Sequence, residues 1–154
     1  MRRRDKQVDD PGKLDEIIAS ATVLRVAMCD ECYPYLVPVN FGYRVGTFFF
    51  HSAPEGRKIE LLRRNNRVGF ELEANSCASL PGAAPCKWST AYASVIGTGR
   101  AFFINEPEEK WQGLETIFRH YSRDPFEIPV SALGQVVVIG IEVVSMTGKI
   151  SGRS

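Results

Sequence analysis

The feature that most constrains this chain is a rhythm. Short runs of β-branched, aliphatic and aromatic residues recur along its length, most of them separated by a few turn-forming residues. Thr22–Cys29 (TVLRVAMC), Tyr35–Phe41 (YLVPVNF) and Thr47–His51 (TFFFH) follow one another through turns at Asp30–Pro34 and Gly42–Gly46. Arg67–Glu73 (RVGFELE), Tyr92–Ile104 (YASVIGTGRAFFI) and Gln135–Met146 add three more. Strands joined by tight turns pair antiparallel, because a parallel return needs a crossover of about a dozen residues. Leu24, Val26 and Met28 alternate onto one face, as a half-buried strand requires. Pro38 has no N–H for a ladder and predicts an edge or a bulge. Gly97 and Gly99 predict a bend in the long fifth run.

Three helices interrupt the strands. Asp10-Pro11 opens the first with an N-cap and a proline at its first position, and Leu14, Ile17, Ile18 and Ala21 share its inner face. A short amphipathic helix follows over 57–64. Asn105-Glu106-Pro107 opens the third, whose spacing predicts an inner line of Trp111, Leu114, Phe118 and Tyr121. Residues 74–89 are small, polar and aperiodic, and read as a long loop. The expectation is an α+β protein in which a six-stranded, mostly antiparallel sheet closes into a small barrel with flanking helices.

A chain of 154 residues fits one domain, taken as 1–154 with residues 1–9 as a flexible, solvated tail. Nineteen basic against 18 acidic residues leave a net charge of +1, which excludes the broad basic face of a nucleic-acid binder. Any bound anion is small and held locally. Arg2–Arg4 have no apolar segment behind them, so no export signal is expected. The longest apolar run, Val136–Val144, contains Glu142 and is too short to span a bilayer. The expectation is a cytoplasmic protein with no membrane partner.

Cys29 and Cys32 form a C-x-x-C, a pattern shared by redox pairs and half zinc sites. It runs into Tyr33-Pro34, which is turn chemistry, whereas a redox pair prefers a helix N-terminus. Cys77 and Cys86 have eight residues between them, not the two to four of a zinc knuckle. Unpaired thiols and no metal are therefore expected, with a zinc-stapled interaction protein as the rival.

The junction FFFHSAPEGRK (48–58) carries the densest chemistry. Ser52 and Glu55 fit an S-x-x-E capping box, which needs no ligand. That reading leaves Arg57 and Lys58 unexplained, since cations in a first helical turn oppose the helix dipole. A bound anion reverses the sign: free N–H groups, the Ser52 hydroxyl and two side-chain charges would then converge on one phosphate. The three phenylalanines, 48 to 50, read as core because a strand alternates faces. His120, on the third helix, reads as structural.

These residues, with PYLVPVNFGY (34–43), FFFHSAPEGRKIELLRRNNRVGFE (48–71), WSTAYASVIGTGRA (88–101), RHYS (119–122) and MTGK (146–149), resemble the FMN-binding split-barrel family related to pyridoxamine 5'-phosphate oxidase. The branch most resembled is that of the nitroimidazole-resistance (Nim-type) reductases. The resemblance implies a six-stranded split β-barrel, non-covalent FMN and a homodimer with flavin sites across its interface. By position, Ser52, Arg57 and Lys58 would hold the FMN phosphate, and Pro38, Val39 and Asn40 would run beside the isoalloxazine. His51 would lie at the flavin face as the candidate catalytic residue, either a proton donor or a flavin contact only. Trp88, Ser94 and Val95 would approach from the second subunit, and Lys149 matches near a motif end.

The expected function is an FMN-dependent oxidoreductase that reduces a small acceptor, a nitroaromatic such as a 5-nitroimidazole being one candidate. With no G-x-G-x-x-G fingerprint, NAD(P)H would dock transiently over the flavin. One alternative is a non-catalytic flavin- or haem-binding split barrel. Another is a pyridoxamine-phosphate-oxidase-like enzyme, disfavoured because no arginine-rich segment follows MTGK to grip a second phosphate.

Overall fold

The computed structural model describes residues 3–31, 33–79, 88–129 and 133–152. Among them are strands β1 (Gln7–Val8), β2 (Leu24–Met28), β3 (Tyr35–Val39), β4 (Gly42–Arg44), β5 (Thr47–Ser52), β6 (Arg67–Ser79), β7 (Ser89–Ile104) and β8 (Val137–Ser151). Helices α1 (Pro11–Ser20), α2 (Arg57–Arg64) and α3 (Pro107–Tyr121) flank them. Every pairing is antiparallel, in the order β3-β2-β6-β7-β8-β5-β4, with β1 added beside β8. The α+β expectation holds, with eight strands among the described residues where six were expected.

The two extra strands have separate causes. β4 occupies part of the expected turn at 42–46, because Val45 and Gly46, at φ 46° and 75°, close a two-residue hairpin with Arg44 opposite Thr47. Positive φ at both positions is the type I′ hairpin geometry. A valine there carries none of the usual turn signal, and Val45 points almost wholly into solvent. β1 comes from the expected tail. Arg4–Lys6 form a 3-10 turn, Gln7 and Val8 pair with Lys149 and Gly148, and the Lys6 ammonium donates to the Ser151 hydroxyl at 2.6 Å. β8 runs past Met146 to Ser151, and β1 covers the edge this extension exposes.

Strand ends also moved. β6 reaches Ser79 and β7 starts at Ser89, so residues 74–79 and 89 of the expected 74–89 loop are sheet, while 80–87 lie outside the described residues. A register shift between Ala74 and Cys77, with Asn75 at φ 56°, hides this from periodicity. The expected bend in β7 is present as a register shift at Thr98/Gly99.

β3 and β4 are the two ends of the strand order, and only Asn40 and Phe41 join them. The barrel is therefore split along this line. Pro38 sits in the edge strand β3, where its missing N–H costs the ladder little. The interior is filled by Leu24, Val26, Phe41, Phe48, Phe50, Leu72, Val95, Ile139 and Ile141, all fully buried. Phe49 points the other way, into a smaller cluster with Ile104, Leu114, Ile117 and Val138 beneath α3.

The inner face of α3 is Gly113, Leu114 and Ile117. Trp111, Phe118 and Tyr121, expected inside, are each more than a third exposed. The helix is rotated from that expectation, keeping Leu114 inside and setting the Tyr121 hydroxyl at the barrel split. That oxygen accepts from Phe41 N and donates to Thr22 O, both at 2.9 Å. His120 is structural, as expected: its Nε2 lies 2.7 Å from Ala21 O and its ring packs on Phe41. No helix of the described residues is long and apolar enough to cross a membrane.

Candidate functional site

β5 ends at Ser52 and α2 begins at Arg57, and the junction between them gathers the chemistry. The capping box is not formed: Ser52 is still in β5, nearly enclosed and paired with Val137, four residues before the true N-cap. That N-cap is Gly56, at φ 119°, a backbone state that only glycine adopts without strain. Its carbonyl accepts the N–H groups of Ile59 and Glu60, and no side chain caps the helix. The N–H groups of Arg57 and Lys58 thus stand at an uncapped helix start with two cationic side chains.

Each cation has a distinct environment. The Arg57 guanidinium is held by Asp30, with Nε at 3.2 Å and Nη2 at 2.5 Å from the same carboxylate oxygen, and lies 4.8 Å over the Tyr35 ring. Lys58 makes no ion pair among the described residues; its ammonium sits 5.7 Å from the Phe50 ring centroid. Burial pushes the Lys58 pKa down.

His51 shares the Phe49 face of β5 and lies opposite Val138, at the rim of the small cluster under α3. Its Nδ1 is buried with no hydrogen-bond partner among the described residues. Burial, and then repulsion from Lys58, lower its pKa below the ordinary histidine value. The folded chain therefore binds fewer protons at His51 than the unfolded chain does. Stability should rise with pH between the folded pKa and about 6.5, with the penalty complete below that window and absent above it. His51→Gln should flatten the acid side of the melting profile relative to wild type. Superimposable profiles from pH 5 to 7 would show that His51 protonation is not resisted.

The other expected residues fall in two places. Pro38, Val39 and Asn40 lie at the end of β3 beside the barrel split, with Pro38 and Asn40 exposed and Val39 buried. Ser94 pairs with Lys149, whose ammonium lies 5.2 Å from the Tyr92 ring. Trp88 is half exposed just before β7, and Val95 is wholly buried in the barrel. The run of β8 from Val138, opposite His51, to Lys149 amounts to roughly 35 Å of strand at ~3.3 Å per residue. One chain therefore separates Ser94 and Lys149 from His51 along the strand direction.

Two partners escaped the sequence reading, Asp30 and Tyr35. Both lie over 20 residues from Arg57, with no local signal to link them. No three His, Cys, Asp or Glu side chains cluster at metal distance among the described residues, and Cys32 and Cys86 lie outside them. A groove of ≈570 Å³ lies elsewhere, walled by Tyr43, Arg44, Arg119, Tyr121 and Arg123 among others.

A split antiparallel barrel with a cationic, uncapped helix at one strand end defines a structural class. Residues 10–150 match the pyridoxamine 5'-phosphate oxidase family, and the chain belongs to it. A solved structure of a candidate 5-nitroimidazole antibiotic resistance protein from Bacteroides thetaiotaomicron VPI-5482 is 36% identical, covering 94% of this chain and 86% of that one at a TM-score of 0.83. The FAD and haem binding protein of Mycobacterium smegmatis shares the fold at 15% identity, covering 96% of this chain and 74% of that one at a TM-score of 0.84. An uncharacterised protein of Rhizobium meliloti (strain 1021) is 26% identical over 84 residues, 54% of this chain. That match spans about half, 48%, of the relative's own length.

Proposed function

We propose that this chain is an FMN-dependent oxidoreductase that acts as a homodimer and reduces a small acceptor, such as a 5-nitroimidazole. The observation that carries this reading is the uncapped start of α2 at Arg57 and Lys58, with Lys58 acting electrostatically on His51, whose buried Nδ1 has no hydrogen-bond partner among the described residues. Two cations and free N–H groups suit a phosphate, and a bound anion would relieve the repulsion between Lys58 and a protonated His51. The residues present therefore fit a flavin phosphate.

Arg57, Lys58 and Ser52 would hold that phosphate. The exposed edge at Pro38–Asn40 offers main-chain groups for a flat heterocycle lying along the barrel split. Trp88, Ser94 and Lys149 would come from the second subunit, since within one chain Ser94 and Lys149 lie far from His51 along the strands. Val95 would contribute through the position of its backbone, because its side chain fills the core. When bound, FMN supplies the redox chemistry. His51, whose pKa burial and Lys58 lower, would stand at the flavin face as a neutral imidazole that hydrogen-bonds the flavin or the acceptor. A nitroaromatic acceptor is favoured by the similarity to the Bacteroides protein.

The test is a reconstitution. Purified protein mixed with FMN and desalted should keep the flavin absorption bands. NADH or NADPH should bleach them without oxygen, and a 5-nitroimidazole should restore them. A protein that retains no flavin, or shows a Soret band instead, would refute the proposal.

A further inference from the structure

We propose that Asp30 is a positioning residue for the anion seat at α2, holding Arg57 by one edge so that its remaining donors are presented to a ligand phosphate. This rests on the reading of that seat as a phosphate site. A guanidinium carries five N–H groups. Asp30 Oδ2 engages the Nε–Nη2 edge, at 3.2 and 2.5 Å, which uses two of them. Three remain, and they include the end-on Nη1–Nη2 fork that matches two oxygens of a phosphate.

The carboxylate is itself fixed. Its other oxygen accepts the Glu31 N–H at 2.8 Å, and the Asp30 side chain is only 20% exposed against 57% for Arg57. The Tyr35 ring beneath the guanidinium restricts its remaining freedom. An exposed ion pair of this kind adds little to folding stability. Its consequence is orientation: an otherwise flexible cation is ordered before ligand arrives, which lowers the entropy cost of binding.

Simple charge counting predicts the opposite sign, because deleting a negative charge beside a phosphate should tighten binding. The two accounts separate in flavin titrations of the apo-protein with FMN and with riboflavin, which lacks the phosphate. Asp30→Ala, or the isosteric Asp30→Asn if the first folds poorly, should weaken FMN binding about three- to tenfold and leave riboflavin binding unchanged. In an Arg57→Ala background the same substitution should cost nothing further. Unchanged or tighter FMN binding would overturn the proposal, as would an equal loss for riboflavin, which would mean that Asp30 shapes the loop rather than the seat. A wild type that binds FMN no better than riboflavin would remove the phosphate seat itself, and this inference with it.

Discussion

Replacing Arg57 and Lys58 together by alanine is expected to weaken FMN binding by at least ~10-fold, the scale of losing charge-assisted bonds to one phosphate. The two positions are equivalent in sequence terms but not in structure. Arg57 is exposed and already oriented by Asp30, whereas Lys58 is partly desolvated over Phe50 with no counter-ion among the described residues. The single Lys58→Ala variant should therefore account for the larger share of the loss. Neither side chain fills the core, since the buried residues of α2 are Ile59, Leu61 and Leu62, so melting temperature should barely change. Isothermal titration of the apo-protein checks both points. FMN affinity equal to wild type in the double variant would remove the phosphate assignment.

Gly42→Ala is expected to be among the most damaging single methyls in the described chain. Gly42 sits in β4 opposite Phe49, where the backbone of α3 crosses directly above it. A Cβ at this position would overlap the Thr116 carbonyl and come within 2.7 Å of Ile117 N. These are helix backbone atoms, which cannot rotate aside as a side chain would. Accommodation requires α3 to lift from the sheet, disturbing Leu114 and Ile117 over Phe49 and pulling on the Tyr121 clasp at the barrel split. Overpacking of this kind costs about 3 kcal/mol. For a domain of this size that is a fall in melting temperature of roughly 10 °C. A loss under about 2 °C by calorimetry would show that α3 does not press on β4 as described.

Much of the fold was legible because its signals are local. Asp10 capping α1 through Lys13 N, the alternation along β2 and Pro38 on an edge strand each follow from residues within a few positions of one another. The three phenylalanines of β5 are core for the same reason: alternation sends Phe48 and Phe50 inward and Phe49 beneath α3. The family resemblance also rested on contiguous motifs, and the match over residues 10–150 agrees with it.

The errors came where a distant partner overrode a local pattern. Ser52 and Glu55 have capping-box spacing, but pairing of Ser52 with Val137 prolongs β5 and moves the helix start to Gly56. Trp111, Leu114, Phe118 and Tyr121 have the spacing of an inner face, yet of these only Leu114 is buried, with Gly113 and Ile117 beside it, while Tyr121 bonds to Phe41 and Thr22 at the barrel split.

By itself, the sequence determined the antiparallel sheet, its helices and the presence of two cations after His51, because hydrophobic period and turn chemistry act over a few residues. Only the tertiary structure decided that Asp30 holds Arg57, that His51 has a buried nitrogen without a partner among the described residues, and that Ser94 and Lys149 lie far along the strands from His51. Those are contacts and separations between residues remote in the chain. Strand register and burial set them, and no local pattern encodes either.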